Sequence, residues 1–376
     1  EDAKQHSLGM LYFLKQLPAS ANAEPFKKLA LIEDFATPDL LPPKPYIREG
    51  LRLHALSMLR EQDIRTPHPE PRWAQVMPYD GLFGFQFNID FHPTRRQFLN
   101  DDPTGPWALI HTPTRNWSTH TDRAMLSARS LVPVRVDRLI GSSKNLGVTS
   151  ITSAALRLHG QMMHAGQAAG ALAAMSLEQR KQPREIVASP KLVEQLQRRL
   201  VLGEPLESKL QQRLRKPRRP RHGLLLWPYH DLHPSDEHFA AATLLTAWRI
   251  LLPLEDSVHF KPDQKITIAE ALATVRRAAA TRVGSFKAPA EWPTNDAPTQ
   301  VANVTDLTTV LKSAGFEFQS PAVSGSLTRA KLARVVWAAV EAYPTSQPEV
   351  PEYLQPGHDT DRDGIEDRQD PWPFER

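Results

Sequence analysis

KNLGVTSITSAALRLHGQMMHAGQAAGALAAM, residues 144–175, decides most of what this sequence says about its fold. It opens on a short strand-like run, crosses a Thr/Ser-rich stretch and passes through Arg157-Leu158-His159, and HGQMMHAGQAAGALAAMSLEQRKQ, from His159 on, reads as a helix. Gly166, Ala168, Ala169, Gly170, Ala171, Ala173 and Ala174 make that helix thin on more than one face. So few side chains allow backbone or a flat ligand to come close. Small residues early and Lys/Arg late suit the helix dipole, and its N-terminal amides would favour an anion or an electron-rich carbonyl.

Working outward, MPYDGLFGFQFNIDFH alternates Phe83, Phe85, Phe87, Ile89 and Phe91 against Gly84, Gln86, Asn88 and Asp90. A period of two predicts a half-buried strand that delivers Asp90 and His92 at its end. EDAKQHSLGMLYFLKQL predicts an opening helix, and REGLRLHALSMLRE a helix start or an irregular strand. The chain has 376 residues, enough for two or three domains, and its 34 prolines imply extensive loops. With no cysteine, disulfides, a Cys nucleophile and thiolate metal sites are excluded. No apolar run reaches the ~18–20 residues of a membrane span. The chain begins at Glu1 without an initiator Met or signal peptide, which reads as a mature or trimmed product.

The net charge of +4 is local: residues 209–222, KLQQRLRKPRRPRH, carry seven Lys/Arg and no acid, so the remainder is about 4 − 7 = −3. Two prolines and no interleaved aromatics favour a solvated linker over a nucleic-acid-binding stripe.

The order of parts around residue 150 resembles the C-terminal flavin-contacting segment of bacterial FAD-dependent oxidoreductases of the glutathione-reductase-like class. The matching parts are Arg129 to Pro133, Lys144 to Leu146, Thr149 to Ser153, Arg157 to His159 and Gly166 to Gly170. Upstream, Tyr46, Arg48, Glu49 and Arg52 match a Y-x-R-E-x-x-R stretch, and Asp90-x-His92 a D-x-H strand end. The resemblance spans roughly residues 5–205. Gly160 stands where the family commonly has proline, and Ser153 where it commonly has Asn. The family's dinucleotide-binding G-x-G-x-x-G pattern does not occur in this sequence, so the resemblance implies half a flavin site. A separate N-terminal chain or segment would complete it.

The resemblance further implies flavin contacts from Leu146, Gly147, Thr149, Thr152, Gly166, Gln167 and Ala168. The helix end near Gly166 and Gln167 would stabilise charge on the reduced ring. It implies hydride transfer from an unidentified, carbohydrate-like substrate, with His159 or His92 as base and Arg157 or Arg48 positioning the substrate.

Residues 231–278 resemble a surface-layer homology repeat through Phe260, Pro262, Asp263, Ile266, Thr267 and Glu270, with Ile268 in place of the family's Arg. Thr267 and Glu270 also have capping-box spacing. A degraded second copy follows at 304–342. The tail reads Asp359-x-Asp361-x-Asp363-Gly364-Ile365-x-Asp367-x-x-Asp370, oxygen ligands at Ca2+-loop spacing, and resembles thrombospondin type 3 and dockerin loops.

Together these readings give an α/β or α+β flavoprotein substrate domain with a mixed or antiparallel sheet (1–205), then a basic linker (206–222). A small all-α repeat domain (223–345) and a Pro/Asp-rich calcium tail (346–376) follow. The expected function is the C-terminal part of an extracytoplasmic FAD-dependent oxidoreductase. The alternative is a non-catalytic surface protein that binds a cell-wall polymer on a relic flavoprotein scaffold.

Overall fold

The computed structural model describes residues 2–18, 24–44, 47–65, 72–90, 96–98, 107–109, 121–203, 226–284 and 299–346. The basic linker, His92 and the proposed calcium loop lie outside them. The chain groups into two compact units, Glu1–Gly50 and Leu51–Arg376.

The first unit holds helices α1 (Asp2–Lys15) and α2 (Glu24–Lys27), with Lys4 paired to Asp39 and the Lys15 ammonium donating to the Leu29 carbonyl at 3.2 Å. Its apolar residues are poorly covered: Met10, Tyr12 and Phe13 are 60–69% exposed, and Leu41 alone among its described residues is buried.

In the second unit, strands β1 (Gly81–Phe85) and β4 (Ala124–Ser127) pair antiparallel, as do β2 (Arg96–Phe98) and β3 (Trp107–Leu109). The strand expected to be half-buried over 83–91 is shorter and covered on both faces. It ends at Phe85, and Leu82 and Phe83 are both buried. The reason is Gly84. Pro228 lies over it so closely that a Cβ there would stand 2.4 Å from the proline Cβ, so the Gly84 face is not the wet one. Alternation marks which residues share a face; it does not say what covers that face.

The helices of this unit are α3 (Glu61–Ile64), α4 (Ser150–Leu156), α5 (His159–Gln179), α6 (Pro183–Val187), α7 (Pro190–Leu202), α8 (Phe239–Ala247), α9 (Ile268–Arg282), α10 (Val304–Ser313) and α11 (Arg329–Val340). In α7, Leu192, Leu196 and Leu200 recur every four residues and form one buried stripe with Val193 and Gln197. Gln197 is fully buried on that stripe. Its amide nitrogen donates to the carbonyls of Tyr79 (2.6 Å) and Gly81 (3.0 Å), and its oxygen accepts from the Trp248 indole at 2.8 Å. One side chain therefore ties the entry to β1 to the end of α8.

More bonds join the same parts. Trp73 packs edge-on against Tyr229 and donates to the Leu254 carbonyl at 3.0 Å, while Arg282 pairs with Glu194 at 2.7 Å. A single cluster of buried apolar side chains runs from Leu56 to Val340.

The last three helices enter from mutually bridged segments, Lys265 with Thr328, Thr267 with Val301, and Asn303 with Ser326. Each starts on a side-chain cap, from Thr267, Asn303 and Thr328 respectively. At α9 the capping box read from sequence is formed: the Thr267 hydroxyl accepts from the Glu270 amide at 3.2 Å, and the Glu270 carboxylate accepts from the Thr267 amide at 2.8 Å.

Before α8, the His238 ring stacks on Phe260 at 5.4 Å, and its buried Nε2 has no hydrogen-bond partner among the described residues. Lost hydration holds its pKa below the ordinary histidine value, against the opposing pull of Asp236, Asp231 and Asp263. The unfolded chain then binds the proton more readily than the fold does. This stabilisation is complete above the unfolded value of about 6.5 and is lost as pH falls through the folded one. Thermal melts are expected to drop on acidification below about pH 6.5, and His238→Phe should flatten that slope. His164, shifted the same way, keeps it from vanishing. An unchanged slope in the variant would rule His238 out as the source.

Candidate flavin-linked site

Three extended segments meet behind the stretch at 144–175. Leu53 donates to the Asn145 carbonyl (3.2 Å), Leu56 to Val132 (2.9 Å), Leu59 to Gly147 (3.0 Å) and Gly147 to Ser130 (2.7 Å). The stretch at residues 48–61, expected as a helix start or an irregular strand, is irregularly extended where it bonds to both other segments, and a short helix, Glu61–Ile64, starts at its end. Isolated β-bridges at Ala55–Pro133 and Leu59–Val148 join the stretch to its neighbours in place of a continuous ladder. Gly147 permits it: a Cβ there would stand 2.4 Å from the Ala55 Cβ and 2.5 Å from the Ser57 carbonyl oxygen. The Leu56–Arg60 stretch also lines a cavity of about 180 Å3 together with His54, Asp63 and Val76.

Past this junction the chain turns into α4. Its N-cap is Thr149, whose hydroxyl accepts from the Thr152 amide at 3.3 Å, and the Ser153 carbonyl accepts from the Arg157 amide at the far end. Arg157 is 3% exposed and donates to the Asp90 carbonyl, with its guanidinium 3.8 Å from the Asp90 carboxylate. Two motifs that are only separate patterns in sequence, Arg157-Leu158-His159 and the strand end carrying Asp90, are therefore in contact. Ile89, Ala154 and Ala155 form a small apolar cluster at the same junction.

The cofactor residues expected from the resemblance divide into two groups. Leu146, Gly147, Thr152 and Ala168 are fully enclosed by protein and act as framework. Thr149 and Gly166 are half-buried and Gln167 is exposed. The helix starts at His159, as the stretch HGQMMHAGQAAGALAAMSLEQRKQ reads, and not at the Gly166–Gln167 position where the resemblance puts its flavin-facing end. Gly166 and Gln167 therefore sit about two turns inside α5, where backbone amides are taken by the i−4 carbonyls. The run of small residues marks close approach to the loop before it: a Cβ on Gly166 would lie 3.6 Å from the Ser142 carbonyl oxygen.

The true N-terminal turn has a different character. Leu158, the N-cap, offers no side-chain acceptor, and the Met162 amide donates to the Leu158 carbonyl at 2.9 Å to open the helical ladder. The amides of Gly160 and Gln161 point out of the helix end. Nothing lies within 4 Å of a Cβ built on Gly160. His159 is exposed at this turn. Arg48 is an exposed residue of the first compact unit.

Sequence reasoning misses His164, one turn further along α5. Its ring lies 5.6 Å from Phe83, and the loss of hydration there lowers its pKa. The signal is present in the spacing, since His164 and Ala168 are four apart on the face turned toward β1. Among the described residues no three His, Asp or Glu side chains converge as a metal-binding set, and no helix is long and apolar enough to cross a membrane.

Searches of curated proteins and of solved structures gave no match. A family model described as FAD dependent oxidoreductase matches residues 1–200, which takes in the bridged junction, α4, α5 and nearly all of α7. On that match over more than half its length, the chain belongs to the FAD dependent oxidoreductase family.

Proposed function

We propose that this chain forms the part of a flavin-dependent oxidoreductase that meets the redox ring of FAD. In this reading another segment or chain carries the dinucleotide-binding unit. The observation that carries the proposal is the uncapped, uncovered first turn of α5 within the family segment.

The donor set fits one edge of the cofactor. An electron-rich carbonyl edge needs hydrogen-bond donors and positive potential, and a helix start without a side-chain cap offers both. Leu146, Gly147, Thr152 and Ala168 would hold this turn from behind, and Thr149, Gly160 and Gln161 would face the ring. When bound, the flavin supplies a two-electron acceptor for hydride. The chain's own residues would do the rest. The dipole of α5 favours negative charge at the ring edge. His159 would take the proton from a substrate hydroxyl or amine on an imidazole nitrogen. Arg157, held by Asp90, would keep the crossing into α5 in place.

Helix α5 and the first unit each carry exposed apolar side chains. Met163 and Leu177 on α5 are 71% and 81% exposed, and Tyr12 in the first unit is 69% exposed.

Gly160→Glu tests the proposal. There is room for the side chain, and a carboxylate in a first helical turn is stabilising, so the fold should melt no lower than wild type. Protein purified from its native host, with any co-purifying chain, should show visible flavin bands. The variant should retain roughly tenfold less flavin under the same dialysis. Full flavin retention in the variant would remove the α5 turn from the site, and no flavin in the wild type would sink the reading.

A further inference from the structure

A second polar site lies away from the α5 turn. A broad-mouthed cleft of about 460 Å3 opens between the end of β1 and the segment after residue 226, lined by Gln86, Phe87, Asn88, Arg123, His230 and His259. Its central group is Arg123. One guanidinium nitrogen donates to the Pro228 carbonyl at 2.8 Å, another contacts His230 Nδ1 at 2.6 Å, and Nε is buried without a partner among the described residues. A guanidinium only donates, so His230 Nδ1 is the acceptor and the neutral ring carries its proton on Nε2.

Among the described residues no carboxylate pairs with Arg123. Asp231 is near enough to be felt, but its two oxygens accept from the amides of Phe260 (2.5 Å) and Lys261 (2.8 Å). The cation is therefore partly desolvated and has no carboxylate in direct contact; burial pulls its pKa below the ordinary arginine value, against the partial compensation that Asp231 gives from a distance. Such an arrangement costs stability unless an anion completes it.

A bare oxyanion would leave other features unused. The Asn88 side-chain oxygen is also buried without a partner among the described residues, so the cleft offers an acceptor as well as donors. The His259 ring stands 5.0 Å from that of His230, nearly edge-on, and adds a group that can donate or accept. Phe87 is 38% exposed and lends an apolar face. Donors around one cation, an unpaired amide oxygen and an aromatic surface together call for a ligand with one negative end, several hydroxyls and an apolar C–H face.

We propose that this cleft binds a small polyhydroxylated monoanion of the sugar-acid class. Its carboxylate would meet Arg123 and the His230 Nε2–H, its hydroxyls Asn88 and His259, and its C–H face Phe87. The assignment stands apart from flavin binding, because none of these residues belongs to the α5 turn and its test reads binding alone.

Isothermal titration of the full chain with glucuronate, glucose and inorganic phosphate tests it. Glucuronate should bind, and glucose at least about tenfold more weakly, because only the former pairs with the cation. Arg123→Gln and Asn88→Leu should each weaken glucuronate by about tenfold or more. Arg123 also braces Pro228; should Arg123→Gln fail to fold, Phe87→Ala, at an exposed residue, and His259→Gln carry the same test, each with a severalfold loss. The proposal is overturned if glucuronate does not bind or if glucose binds equally well. It is also overturned if phosphate binds as tightly and Asn88→Leu changes nothing.

Discussion

Replacing Gly147 by alanine should destabilise the protein by about 3 kcal/mol or more, read as a fall in the urea midpoint with an unchanged slope. The new methyl would meet the Ala55 Cβ at 2.4 Å, the Ser57 carbonyl oxygen at 2.5 Å and the Ser130 carbonyl oxygen at 3.1 Å. None of these atoms is the far end of a flexible side chain, so relief must come from the backbone. That backbone carries the Leu59–Gly147 and Gly147–Ser130 hydrogen bonds, and the same shift would disturb the approach of Thr149 to Leu59. Gly160→Ala is the control. It sits in a helical turn with open space around it and should be neutral or stabilising by a few tenths to about 1 kcal/mol. Equal stability of the Gly147 variant and wild type would mean the three extended segments are not packed as described.

The second large effect is expected at Asp80 and Arg129, which are 0% and 1% exposed. The Asp80 carboxylate accepts from the Ser127 hydroxyl at 2.6 Å, from the Arg129 amide at 3.0 Å and from the Arg129 guanidinium at 3.0 and 3.2 Å. The guanidinium also lies 5.3 Å from the centre of the Tyr79 ring. Each charge is tolerated in the interior because the other is there. Arg129→Met or Asp80→Ala alone strands its partner and should cost about 3–5 kcal/mol. The double variant should lose clearly less than the sum of the two, since it leaves no unpaired charge. Additive losses in denaturant melts would show that the pair's Coulombic coupling contributes nothing.

The sequence is legible where one short stretch contains the whole cause. Helix α5 can be placed because its periodicity, small residues and terminal charges all lie within its own length. Thr267 and Glu270 are three apart, and their mutual capping needs nothing else. Legibility fails where the cause is distant. Gly84 reads as the solvent side of a strand, yet Pro228, far along the chain, lies on it. The resemblance puts the flavin-facing end of α5 at Gly166 and Gln167, where glycine and alanine announce close approach. The start at His159 is read from the helix's own stretch. Arg123, His230 and His259 form no pattern at all in sequence, since their meeting depends on how the segment after residue 226 returns across β1. Gln197 reads as an ordinary polar residue in a helix, yet both ends of its amide are satisfied deep in the core.

That glutamine has a consequence for the boundary of the family match, which ends at residue 200. Its indole partner, Trp248, lies well beyond that limit, as do the carbonyl that Trp73 reaches and the arginine that neutralises Glu194. A fragment cut where the likeness stops would keep every motif of the flavoprotein resemblance and lose the groups that satisfy its buried polar atoms. The recognisable stretch and the smallest autonomous piece are different lengths of chain. The described residues after 225, which supply those groups, are better regarded as part of the wall than as a room added to the house.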